Sequence, residues 1–212
     1  MKRIVLFVEG VGEAQSAPAL VGRLWAERTD ATSVGFVDSN PFIVGNVIKV
    51  INRKDDWIRH LRAAAKRSSL GGVLVVLDAD VWEDEGGCAV EAARKLVEAA
   101  RDAGAGSQFS IAVVLMRKEF ESILIASYSS LPGSRPNVSL PSDIEVAPRD
   151  AKRWLKQDLN GGYKEATDQV ELTKSIDIDV VRGAKLRSFR RLESAVDGLF
   201  DAITSGRPSA TP

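Results

Sequence analysis

Ile4-Val5-Leu6-Phe7-Val8 and Val73-Leu74-Val75-Val76-Leu77 are apolar without a break and rich in β-branched residues. A strand with one wet face alternates polar and apolar positions, so unbroken runs of this length belong in a sheet covered on both faces. Phe109 to Leu115 is a third such run, interrupted only by Ser110. Helical spacing fills the intervals. Ala14 to Arg28 places Ala17, Leu20, Val21, Leu24 and Trp25 on one stripe. Asp55 to Arg67, with Trp57, Ile58, Leu61 and Ala65 inward, opens on acids and closes on bases, which suits the helix dipole. Gly71-Gly72 reads as the end of that helix. Ala89 to Ala103 is another helix, and Arg117 to Ser127 starts one more, with Phe120, Ile123 and Leu124 inward. Ser33 to Val37 reads as a short strand broken by Asn40-Pro41. Buried strands alternating with helices predict an α/β fold, a mainly parallel sheet with helices on both faces.

The texture changes after Leu131. Residues 131–148 hold four prolines and little periodicity, which predicts a long loop. Helical pieces follow at Arg149 to Leu159, Ile178 to Ala184 and Leu186 to Ile203. The division expected is an α/β core over residues 1–130, a helical C-terminal extension over 149–205, and a small, polar, fraying tail over 206–212.

Charge and residue counts exclude several classes of function. The 212 residues carry 29 Lys+Arg and 29 Asp+Glu, so bulk charge holds this chain to no polyanion. A local excess exists: residues 149–191 have 11 bases and 7 acids. One Cys excludes an internal disulfide and any zinc site of several Cys, and one His excludes HExxH chemistry. The run Ile4 to Val8 is too short for a signal segment, and no 18-residue apolar stretch occurs. The expectation is a cytoplasmic chain with no membrane span, with room left for a homo-oligomer.

The carboxylates carry the functional signal. In an open α/β sheet the ligand site lies beyond the carboxyl ends of the strands. Two of the buried runs end there in acids, Val8-Glu9 and Leu77-Asp78. Asp80 follows two residues on, and in extended backbone it points to the same side as Asp78. Glu13 stands at the start of the following helix, and Glu119 and Glu121 follow the third run. Any one of these acids alone reads more readily as a helix cap than as a ligand. Together they repel one another unless a cation sits among them. With no His or Cys cluster, an all-oxygen inventory points to Mg2+ or Mn2+, ions that stabilise phosphoryl transfer.

The motifs Val8-Glu9-Gly10-Val11-Gly12-Glu13 and Leu77-Asp78-Ala79-Asp80 resemble those of the Toprim family, which includes topoisomerases, primases and the overcoming-lysogenisation-defect nucleases. The VEGxxE form looks like the nuclease branch. More narrowly, the chain is similar to small bacterial Toprim-like proteins of unassigned function, which share Glu119-Phe120-Glu121, Arg153-Trp154-Leu155 and Tyr163-Lys164. The resemblance implies a Toprim-like core and a metal-dependent nuclease. Glu9, Asp78 and Asp80 would be its catalytic metal ligands, with Glu13 and Glu121 as further ligands and Glu119 as the competitor of Glu121. It implies nucleic acid as substrate and a separate ATPase as partner in a bacterial phage-defence module. The chain shows neither an appended ATPase nor a topoisomerase tyrosine domain. Arg117, Lys118, Lys152, Arg153 and Lys164 are the cations best placed to meet phosphates.

Rival readings are weaker. Asp78-Ala79-Asp80-Val81 also fits the DxDx[TV] of haloacid-dehalogenase phosphatases, but that motif closes the first strand, and here a strand ending in Glu9 precedes it. A binding or regulatory subunit would keep the fold without needing mutually repelling acids. Gly10-Val11-Gly12 lacks the GK[ST] of a phosphate loop and the later Gly of a dinucleotide site. His60 reads as a solvated surface residue and Cys88 as a bland small one.

Overall fold

The computed structural model describes residues 1–145 and 150–212. Six strands form one sheet: β1 (Lys2–Val8), β2 (Gly35–Val37), β3 (Phe42–Ile43), β4 (Leu70–Asp78), β5 (Ser110–Met116) and β6 (Ala210–Thr211). Their order is β2-β1-β4-β5-β6, with β3 also on β1, and every pairing among the described residues is parallel. The unbroken apolar runs are the central strands, as their sequence requires. Successive residues face opposite sides. Ile4, Leu6 and Val8 enter one core with Leu74, Val76, Ala112 and Val114. Val5 and Phe7 enter the other with Val73, Val75, Ile111 and Val113.

The second core is closed by α3 (Val47–Asn52), α4 (Lys54–Ala65) and α6 (Ala89–Arg101). The first is closed by α1 (Val11–Ala26), by α7 (Glu121–Ala126) and by the helices of the C-terminal region. These are α8 (Ala151–Asp158), α9 (Glu165–Ser175), α10 (Ile178–Gly183) and α11 (Arg187–Ser205). Two short helices complete the chain, α2 (Ala31–Val34) and α5 (Asp80–Asp84).

The expected α/β sheet and helical C-terminal region are both present. The C-terminal helices form a face of the sheet: α11 lies across β4 and β5, and α9 packs on α1. Three finer expectations change. Gly71-Gly72 does not terminate a helix but lies in β4 under α11. A Cβ on Gly72 would meet Leu199 Cδ2 at 2.9 Å, and one on Gly71 would meet Ile203 Cδ1 at 2.9 Å. Glycine here is the condition for close helix–sheet packing. The polar tail does not hang free. Ile111 N–H donates to the Ser209 carbonyl at 2.8 Å and Ser209 N–H to Ser110 Oγ at 3.2 Å, so β6 pairs with the edge of β5. The stretch around Ser33 divides into α2 and β2, and β3 follows Pro41. The expected helix start at Arg149 lies outside the described residues; α8 begins at Ala151.

Candidate functional site

The parallel register sets the site. Val8 pairs with Val76 and Asp78 with Met116, so Glu9 emerges from β1 level with the last residues of β4. Glu9, Asp78 and the start of α7 therefore share the carboxyl edge of three adjacent strands, about 5 Å apart from strand to strand. Glu121, the first residue of α7, is fully buried, and Asp78 is 7% exposed. Asp80 is not extended beside Asp78: Ala79 turns helical and Asp80 opens α5, where its Oδ1 accepts the Val81 N–H at 2.7 Å.

Each carboxylate has a distinct set of partners. Glu13 Oε2 accepts the Gly10 N–H at 3.0 Å, so Glu13 caps the helix it begins. Asp78 Oδ1 accepts the Phe120 N–H at 3.0 Å, which ties β4 to the approach of α7. Glu121 Oε1 accepts from the Tyr163 hydroxyl at 2.8 Å and from Gln169 Nε2 at 3.1 Å. Gln169 Nε2 also reaches Glu13 Oε1 at 3.5 Å. Glu119 turns the other way. Its Oε2 accepts the Ala151 N–H at 2.8 Å and the Lys152 N–H at 3.3 Å, at the start of α8. The competition between Glu119 and Glu121 thus has a geometric outcome: Glu121 joins the acidic cluster, and Glu119 caps a helix.

Burial and mutual repulsion set the electrostatics. Desolvation, then Glu13 and Asp80, push the Glu9 carboxyl up to about 7 from 4.5. Burial does the same for Glu121, to about 7, against the attraction of Lys152 and the Tyr163 hydrogen bond. Asp78 is raised well above the usual range by burial and then by Glu121, Glu13 and Glu9. Burial also raises Tyr163, helped by the Glu121 charge beside it. Lys152 is the local counter-charge. Its Nζ lies 3.0 Å from Glu165 Oε2 and 4.0 Å from Glu121 Oε1. Burial would lower its affinity for a proton, but Glu121, Glu165 and Asp78 outweigh that and raise it.

Among the described residues no three His, Cys, Asp or Glu side chains are grouped as a metal-holding set as they stand. The donor chemistry nonetheless fits a hard cation. Buried oxygens are normally partnered, yet Glu9 Oε2 and Glu121 Oε2 are buried with no hydrogen-bond partner. Both are carboxylate oxygens, as Mg2+ or Mn2+ requires. Glu9, Asp78 and Glu121 are the residues that would hold such an ion, with Glu13 and Asp80 beside them.

Sequence reading gave Gln169 and Tyr163 no role in the site. Both come from the C-terminal region: Gln169 bridges Glu121 and Glu13, and Tyr163 donates to Glu121. Gly12 makes room for Gln169: a Cβ there would meet Gln169 Oε1 at 2.3 Å. Lys152, expected at the surface, sits half-buried within the cluster. The other expected phosphate contacts are dispersed. Lys118 Nζ lies 3.5 Å from Asp84 Oδ1 and 3.9 Å from Glu83 Oε2, and Arg117 also stands near Glu83. Arg153 and Lys164 are exposed, Arg153 on α8 and Lys164 at the N-cap of α9. Arg153, Lys152 and Tyr163 line an open groove of ≈ 860 Å³. His60 is half-buried, with its ring 6.3 Å from that of Phe42, and Cys88 is exposed.

The model of a family described as a domain of unknown function, DUF4276, matches residues 8–197. The chain belongs to the DUF4276 family. That match runs from the last residue of β1 into α11, so the DUF4276 unit contains every acid of the cluster together with Lys152, Tyr163 and Gln169. No curated protein and no solved structure matches the chain. No helix among the described residues is long and apolar enough to cross a membrane.

Proposed function

We propose that this DUF4276 protein is a Toprim-type phosphodiesterase acting on nucleic acid with Mg2+ or Mn2+. One observation carries the reading: carboxylates from β1, β4 and α7 meet at the carboxyl edge of a parallel sheet, and two of their buried oxygens lack a partner. Leaving polar atoms unpaired in a buried site is costly, and repulsion among the acids adds to that cost. A divalent cation supplies charge stabilisation of a transferring phosphoryl group.

The chain's own residues prepare the place. The Phe120 N–H fixes the Asp78 carboxylate. Tyr163 and Gln169 hold one oxygen of Glu121 and leave the other unpartnered. Lys152 balances the acids when no other cation is present, and Glu165 gives its ammonium a second partner. Arg153, Lys164, Arg117 and Lys118 would position a phosphate backbone without reading bases. A separate ATPase partner and a place in bacterial phage defence rest on the motif resemblance alone.

The test is nicking of supercoiled plasmid with Mg2+ or Mn2+, using wild type, Glu9→Gln and Asp78→Asn. Cleavage by the wild type alone supports the reading. Equal cleavage by all three proteins contradicts it.

A second reading, a binding module without catalysis, has one observation in its favour. The Lys152 ammonium is already a built-in cation, and the acids are not grouped as a metal-holding set. It predicts that neither Mg2+ nor Mn2+ changes the melting temperature.

A further inference from the structure

A small cleft on the other side of β1 carries positive charge with no assigned use. It lies between β3, α3 and α4 and has a volume of ≈ 180 Å³. Val44, Val50 and Trp57 form its apolar floor, and Lys49, Arg53 and Arg59 form its rim. Arg59 is paired with Asp56 at 2.9 Å. Lys49 and Arg53 are exposed, and among the described residues neither side chain has an ion-pair or hydrogen-bond partner. His60 closes the inner wall, with its ring against Phe7 and Phe42.

The position of this cleft gives it meaning. Ile43 is in register with Val8, and the Val44 N–H donates to the Val8 carbonyl at 2.9 Å. The wall of the cleft is therefore one strand, about 5 Å, from the backbone leading into Glu9. Gly45, at φ +82, sits at this turn. A Cβ there would meet Lys49 Cδ at 2.8 Å, so glycine lets the lysine side chain lie back across the turn. The volume is below the roughly 300 Å³ at which small-molecule sites begin, so the cleft suits one group of a larger ligand.

We propose that this cleft is a phosphate subsite that seats a backbone phosphate of a nucleic-acid strand beside the acidic edge. The proposal rests on the phosphodiesterase reading and adds a phosphate contact to it. Carboxylates at the sheet edge repel a polyanion, and two unpaired cations one strand away offset that repulsion. The contact is to phosphate, so it orients the strand and carries no base preference.

Anisotropy of short labelled single-stranded and duplex oligonucleotides, measured in EDTA, tests the subsite apart from cleavage. The Lys49→Ala/Arg53→Ala protein changes two exposed side chains and should melt like wild type. It should bind about tenfold more weakly, and the slope of log K against log salt should fall by about 1, the share of one phosphate. Arg94→Ala/Arg101→Ala, a pair of exposed bases on α6, should bind like wild type. Inorganic phosphate should compete with the strand in wild type and not in the Lys49/Arg53 variant. Unchanged affinity and slope in that variant would overturn the proposal. So would inorganic phosphate binding that needs Lys49 and Arg53 while oligonucleotide binding does not, because the source would then be a free ion. Failure of wild type to nick plasmid, with pair-dependent binding intact, counts against the phosphodiesterase reading and leaves the subsite standing.

Discussion

Glu121→Gln should stabilise the metal-free protein at high pH. Glu121 is fully buried, and its carboxyl titrates near 7 instead of 4.5, chiefly through desolvation. Between those values the folded chain holds a proton that the unfolded chain has released. Stability therefore falls as pH rises through this window, and the loss is complete above about 7. One pKa unit corresponds to about 1.4 kcal/mol, so the displacement amounts to about 3 kcal/mol at about pH 8. Glutamine keeps a carbonyl oxygen for Tyr163 and Gln169 but forfeits the attraction of Lys152, 4.0 Å away. The net gain should be about 1–3 kcal/mol, or roughly 2–10 °C in Tm for a chain of this size. The assay is thermal and urea unfolding in EDTA at several values between about pH 5 and 8. The advantage of the variant should vanish near pH 5, where the wild-type carboxyl is itself protonated. A variant less stable than wild type at pH 8, by a margin that does not change with pH, would refute the reasoning.

Other outcomes follow from the same geometry. In the wild type Mg2+ or Mn2+ should raise Tm, by an amount that grows with metal concentration, and this gain should disappear in Glu9→Gln and Asp78→Asn. Gly72→Val places a branched side chain against Leu199 and should cost about 1–3 kcal/mol by urea unfolding; an unchanged midpoint would contradict the packing of α11 on β4. Glu145→Ala removes a carboxylate that accepts the Arg187 and Ser188 N–H groups, both at 2.7 Å, at the start of α11. It should cost about 1–2 kcal/mol, and an unchanged Tm would refute that cap. The phosphatase alternative predicts turnover of small phosphomonoesters that Asp78→Asn abolishes; the proposed function predicts none.

The sheet was legible because unbroken apolar runs such as Val73 to Leu77 have only one stable environment, between two covered faces. Its small elements were not. β3 is two residues long and β6 sits in a polar tail, so neither offers a periodic pattern; each exists because a neighbouring edge, β1 or β5, supplies the partner. α9 was missed because the face it buries includes Gln169 and Thr173, which satisfy themselves by hydrogen bonds that no hydropathy pattern records. Gly71-Gly72 looked like a terminator because the local signal for a turn and the tertiary need for close packing use the same residue. In the site, Glu9, Asp78 and Glu121 stood out as acids at element ends. Their partners did not: Gln169 reaches Glu13 across 156 positions of sequence, and Lys152 faces Glu121 across a proline-rich stretch. Asp80 misled because a DxD in extended backbone and one that turns into a helix are written identically.

The most direct measurement of the central claim is titration of EDTA-stripped protein with Mn2+, following the bound ion by electron paramagnetic resonance, for wild type and a Glu9→Gln/Asp78→Asn protein. The account predicts saturable binding in the wild type, accompanied by proton release as the raised carboxyls of Glu9, Asp78 and Glu121 ionise, and none in the double variant. No saturable binding to the wild type, or equal binding to both proteins, would contradict it.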